Sequence, residues 1–130
     1  LLPWKASGFA LRSGEGVVMA PHPLDAMTAA PGHHSVLFEN DRVRVLDTRL
    51  SPGDRTPVHA HEWPAALYVL SWSDFVRCDP EDNVLVDSRE SGTPPPAPGA
   101  AVWLAPLEPH YVRNVGVRDL HIVAVELKAP

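Results

Sequence analysis

The sequence has a single cysteine, Cys78, so no disulfide can close within the chain. It has no apolar run approaching the roughly 18 residues that a membrane-spanning helix requires. Positive charge is in the minority, with 11 Lys plus Arg against 16 Asp plus Glu and a formal charge of -5. That balance has the wrong sign for a general binder of phosphate backbones or anionic membranes. These absences exclude a disulfide scaffold, a helical membrane protein and a general nucleic-acid partner, and they point to a cytoplasmic chain. A sustained helical period is missing as well. Instead there are 15 prolines and 8 glycines among 130 residues, which interrupt helices and suit short strands joined by turns. The length fits one domain. At that size folding hides about two thirds of the unfolded surface, so a metal, if present, serves chemistry and not stability.

Residues 1–33 show no regular period and are read as a mostly irregular N-terminal arm, foreign to the native chain in part or flexible. Met19 stands just before Ala20-Pro21-His22-Pro23, so residues 1–18 are read as vector-derived or as the remnant of a processed precursor. From residue 34 to 130 the texture is that of strands. Ser35–Glu39, Val43–Leu50, Thr56–His61, Ala65–Leu70, Phe75–Arg77, Val84–Asp87, Ala100–Ala105, His110–Asn114 and Leu120–Leu127 are rich in β-branched or alternating residues. Turns are expected at Asn40-Asp41, at Ser51-Pro52-Gly53-Asp54, at Pro80–Asn83 and at Pro106–Pro109, and the run Thr93–Gly99 reads as a stiff proline-rich loop. Strands recurring about every ten residues predict an all-β sandwich or closed antiparallel barrel.

The sharpest chemical signal is His59-Ala60-His61. On a strand, residues i and i+2 share a face, so two imidazoles can reach one ion. His110, opening a later strand, is the third candidate, expected to face the pair across the barrel. Gly53 followed after five residues by His59-x-His61 resembles the first half of the first cupin motif. Gly99, Pro106 and His110-x-x-x-Asn114 are similar to the second. The resemblance spans about residues 35–128 and implies a double-stranded β-helix, or jelly roll, with a divalent metal held inside by His59, His61 and His110. The carboxylate that cupins commonly supply after the second histidine is replaced here by Ala65 and Ala66. Three-histidine cupins include iron dioxygenases, so the resemblance implies Fe(II) first, with Ni, Zn or Mn as alternatives, and a homodimer as the assembly.

Around that centre, Ala66, Tyr68, Trp72 and Trp103 are the candidate substrate-binding residues. Ala66, Tyr68 and Leu70 are expected to share the inward face, and Ala66 to leave space where a carboxylate would otherwise stand. Asn114 is expected to point inward and hold a loop, while Glu126 on the last strand is the one inward carboxylate foreseen behind the ligands. Arg49, Arg77 and Arg113 are candidate anion clamps. Glu62 points away from the shared histidine face, and His22, His33, His34 and His121 are expected to be exposed or locally hydrogen-bonded. No catalytic residue is assigned beyond the metal ligands. Three functions compete: a metal-dependent dioxygenase of a small organic acid or dicarbonyl that chelates the metal, a non-catalytic small-molecule or metal-binding cupin, and a metal-dependent isomerase or lyase.

Overall fold

The computed structural model describes residues 10–13, 16–19 and 22–129. Most of the stretch read as foreign or processed lies outside these residues. Within the described part of the arm, Ala10–Ser13 (β1) pairs antiparallel with Gly16–Met19 (β2), and Ala26–Ala29 (α1) makes one helical turn. The turn starts because the Asp25 carboxylate accepts the backbone N–H of Met27, the usual work of an aspartate at a helix N-cap. These short elements are the regular part of an arm expected to be mostly irregular. Ala26 and Ala30 are fully buried, and Ala26 packs with Leu46, Ala65 and Ala124 in the core.

The remaining strands are His34–Glu39 (β3), Val43–Leu50 (β4), His59–His61 (β5), Ala65–Ser71 (β6), Phe75–Cys78 (β7), Val84–Asp87 (β8), Ala101–Leu104 (β9), Leu107–Asn114 (β10) and Leu120–Leu127 (β11). They form two antiparallel sheets, one in the order β3-β4-β11-β6-β9 and one in the order β5-β10-β7-β8. The all-β architecture expected from the strand spacing is therefore present, in the jelly-roll form that the motif resemblance implies. No helix among the described residues is long and apolar enough to cross a membrane.

The long pair β4–β11 fixes which side chains enter the interior. It runs in unbroken register from Val43 opposite Leu127 to Leu50 opposite Leu120. Period-two alternation then turns Leu46 and Leu50 inward with Leu120, Ile122, Ala124 and Glu126, all of them buried. On β6 the same alternation buries Ala65 and Val69, which stand opposite Glu126 and Ile122, and turns Ala66, Tyr68 and Leu70 outward. The inward placement expected for Ala66 and Tyr68 is thus reversed, with Tyr68 48% exposed. Both faces of Ala65-Ala66-Leu67-Tyr68-Val69-Leu70 are apolar, so the sequence carries no parity signal there, and pairing with β11 decides it.

Local chemistry explains the turns. The Asn40 side chain accepts from the backbone N–H groups of Arg42 and Val43, and Asp79 does the same for Glu81 and Asn83. The segment expected to be a turn at Pro106–Pro109 is mostly strand, since β10 begins at Leu107. A register shift between Leu107 and His110 on β10 accommodates Pro109, which has no N–H to give to a ladder.

Candidate metal centre

Strand β5 places His59 and His61 on one face, and antiparallel pairing sets His110 of β10 directly opposite His59. The rings of His59 and His110 lie 4.5 Å apart between centroids, and those of His61 and His110 5.6 Å. His110 is therefore a neighbour on the adjacent strand of the same sheet, not a ligand arriving from the opposite wall. The residue that does arrive from the other sheet is His34. It opens β3, stands opposite Thr48 of β4, and is only 4% exposed. Its ring centroid lies 5.0 Å from that of His59 and 5.6 Å from that of His61. One ligand nitrogen from each of His34, His59 and His61 lies within 4.8 Å of the others. His34, expected to be exposed or locally hydrogen-bonded, does bond locally to Ala30 but is buried within the cluster, because a contact between two sheets leaves no trace in sequence spacing.

Three of the four rings have their tautomer set by the backbone. Nδ1 of His34 lies 2.9 Å from the Ala30 carbonyl, Nδ1 of His59 2.9 Å from the Pro57 carbonyl, and Nδ1 of His110 2.6 Å from the Glu108 carbonyl. A carbonyl only accepts, so each Nδ1 carries the proton and donates it, which leaves Nε2 with its lone pair. This is the outer support that metal-binding histidines ordinarily have. Burial holds the rings neutral: desolvation, reinforced by neighbouring imidazoles at His61 and His110, pushes His34 and His61 down to about 3 and His110 to about 2, and lowers His59. Neutral imidazoles with free Nε2 atoms are the form a transition-metal ion takes up, and the donor set fits one.

Behind the histidines runs a buried ionic chain. Arg44 donates from both terminal nitrogens to Asp25, at 2.8 and 2.9 Å, and from Nε to Glu126 Oε1 at 2.6 Å. The other oxygen, Glu126 Oε2, has no hydrogen-bond partner among the described residues and lies 3.6 Å from His61 Nδ1. Burial raises the Glu126 pKa against the pull of Arg44. At Asp25 the bonds to Arg44 outweigh burial and hold the carboxyl below its ordinary value. Asp25 and Arg44 carried no sequence signal, since their partners lie 19 and 82 residues away along the chain.

The histidines line one part of a cavity of about 230 Å³ between the sheets. Its remaining wall is largely apolar, with Leu50, Leu67, Trp72, Phe75, Leu120 and Ile122. Two sheets closed around an inward histidine cluster invite comparison with known folds. A cupin domain from Bordetella pertussis superposes with a TM-score of 0.59 at 24% identity, covering 74% of this chain and 92% of that one. An RmlC-like cupin with a double-stranded β-helix from Methanocaldococcus jannaschii gives 0.50 at 13% identity, covering 72% and 77%. The fold is that of the cupins. No protein-family model and no curated protein matches the sequence.

Within this cupin fold the residues singled out from sequence fall into separate places. His59, His61, His110, Trp72, Trp103 and Glu126 line the cavity, while Ala66 and Tyr68 lie outside it. Asn114 is buried away from the cavity and ties loops together. It donates to the carbonyls of Leu50 and Arg118, and accepts from Ser73 Oγ and the Gly116 N–H. His22 bonds locally to the Leu24 N–H, while His33 and His121 pair with the sequence-distant carboxylates of Asp54 and Asp47.

Proposed function

We propose that this cupin-fold protein is a metal-dependent enzyme, an Fe(II) dioxygenase acting on a small organic acid or dicarbonyl that chelates the metal. The observation that carries the reading is the set of four neutral imidazoles at the wall of an apolar cavity, three with Nδ1 protons committed to backbone carbonyls. A divalent iron held by His34, His59 and His61, with His110 beside them, would supply a Lewis-acidic, redox-active centre that keeps its full positive charge, because imidazoles bring none of their own. The chain's residues do the rest. The carbonyls of Ala30, Pro57 and Glu108 orient the rings, and the apolar wall around Trp72, Phe75 and Ile122 keeps water away and receives the body of the substrate.

The test is metal analysis of protein purified without chelator or nickel resin, followed by oxygen uptake on an iron-loaded sample with a panel of dicarbonyls and organic acids. Stoichiometric iron binding and substrate-dependent oxygen consumption support the reading. A protein that binds no first-row metal contradicts it. A second reading, proton transfer by an isomerase or lyase, is favoured by Glu126, which lines the cavity and whose Oε2 has no hydrogen-bond partner among the described residues. Product formation without oxygen uptake, abolished in Glu126→Gln, would favour that reading over the first.

A further inference from the structure

Two arginines reach the cavity region from the strands, and they are in opposite conditions. Arg44 has Nε and both terminal nitrogens committed to Asp25 and Glu126, so its charge is more than matched. Arg77, on β7, stands opposite Val112 of β10 and lines the cavity with it. Cross-strand partners share a face, and Val112 is two residues from His110, so the Arg77 side chain enters on the same inner face as the histidines. Among the described residues, no carboxylate lies within ion-pair distance of its guanidinium and no acceptor takes its N–H groups. The side chain is half-buried.

A half-buried guanidinium on an apolar cavity wall, with no counter-charge from the protein, has its N–H donors open to an anion that a ligand brings. Burial alone pulls the Arg77 pKa below its ordinary value, with no carboxylate opposing it. Its charge is also felt by His61 and His110, which places it near the candidate metal centre. The charges around the cavity are thus Arg44 against Asp25 and Glu126, four neutral imidazoles, and one uncompensated cation. Of the three arginines considered as anion clamps, Arg113 is exposed, and Arg49 is exposed on the outer face beside His121.

We propose that Arg77 is the anion-binding residue of the cavity, and that the ligand is a monocarboxylate whose carboxyl group pairs with this guanidinium while its apolar body lies against Trp72, Phe75 and Ile122. One planar guanidinium matches one carboxylate through two parallel N–H···O bonds, and the described residues that line the cavity include no second cation for a dianion such as phosphate. This names the substrate class of the cavity proposed above. It rests on that cavity being the small-molecule site and not on the identity of the metal.

The experiment is calorimetric titration of metal-stripped protein, and separately of zinc-loaded protein, with three acid–amide pairs: propionate and propionamide, benzoate and benzamide, phenylacetate and phenylacetamide. In the stripped wild type, at least one acid binds tenfold or more tightly than its amide, Arg77→Gln abolishes that preference, and Arg113→Gln keeps it. Arg77→Gln retains the zinc content of the wild type and an unchanged unfolding temperature, because the half-buried side chain holds no ion pair or hydrogen bond among the described residues. If the glutamine variant does not fold, Arg77→Lys decides: it retains the sign of the preference at reduced strength. No preference in any pair, or a preference that survives in Arg77→Gln, overturns the proposal. A wild type that takes up no zinc yet prefers the acid defeats the metal reading and leaves the clamp standing.

Discussion

Replacing Arg44 with methionine should be among the most damaging single changes in the barrel. The side chain bonds Asp25 at 2.8 and 2.9 Å and Glu126 at 2.6 Å, and Asp25 and Glu126 are 5% and 1% exposed. Methionine preserves much of the packing volume but strands two carboxylates away from water. Breaking a buried pair from one side costs about 3–5 kcal/mol. Against a total stability of about 5–15 kcal/mol for a domain, that is a large share. Urea unfolding at pH 7 gives the number directly. The triple variant Arg44→Met, Asp25→Asn, Glu126→Gln should recover roughly half of the loss or more, because the stranded charges are gone. In the single variant both carboxyl groups lose their cation, so burial raises their pKa values above those of the unfolded chain. The native state then takes up protons as pH falls, and the penalty shrinks between pH 7 and pH 5. A cost below about 1 kcal/mol for Arg44→Met, or a triple variant no more stable than the single one, would refute the account of the ionic chain.

Acid should destabilise the metal-stripped wild type through its histidines. His34 and His61 sit at about 3 and His110 at about 2 in the folded state, against 6.5 when unfolded, so their full contribution exists above pH 6.5 and is lost as pH falls toward the folded values. At pH 5 each loses about 2 kcal/mol, read as a drop in unfolding temperature between pH 7 and pH 5, and an unchanged temperature would count against buried neutral rings. His34→Ala should weaken zinc binding about tenfold or more while His121→Ala, outside the cavity, leaves it unchanged, measured by competition with a chromogenic chelator. Gly116→Ala should cost about 1–3 kcal/mol in thermal unfolding, because a Cβ there would collide with Ser73 Oγ and stand 2.7 Å from the Asp74 backbone nitrogen.

The strands were legible because β-branched alternation and turn chemistry are local properties, and nearly every stretch read as a strand from residue 35 onward is one. His59 and His61 were legible for the same reason: a two-residue spacing on a strand is a statement about one face. His110 was legible as the histidine that opens a later strand and matches the second motif, and its position beside His59 came only with the β5–β10 pairing. His34 was hidden because its link to the cluster runs between sheets. The available clue was its place at the inward start of a strand, which becomes readable once β3 is paired with β4. Ala66 and Tyr68 were misplaced where apolar residues occupy both faces of β6 and alternation says nothing. Arg77 was named among three arginines, but what separates it from Arg49 and Arg113 is the wall it enters, and sheet registration determines that.

The four imidazoles do not belong to one wall. His34 hangs from the larger sheet, and the other three from the smaller. An ion shared among them would act as a rivet through the seam of the sandwich, tying the edge strand β3 to strands it does not hydrogen-bond. Affinity for the ion and resistance of the two leaves to separation would then be one free energy read in two ways. Loading the protein should slow amide exchange on β3 as well as around His59, at a distance from any bond the backbone itself provides.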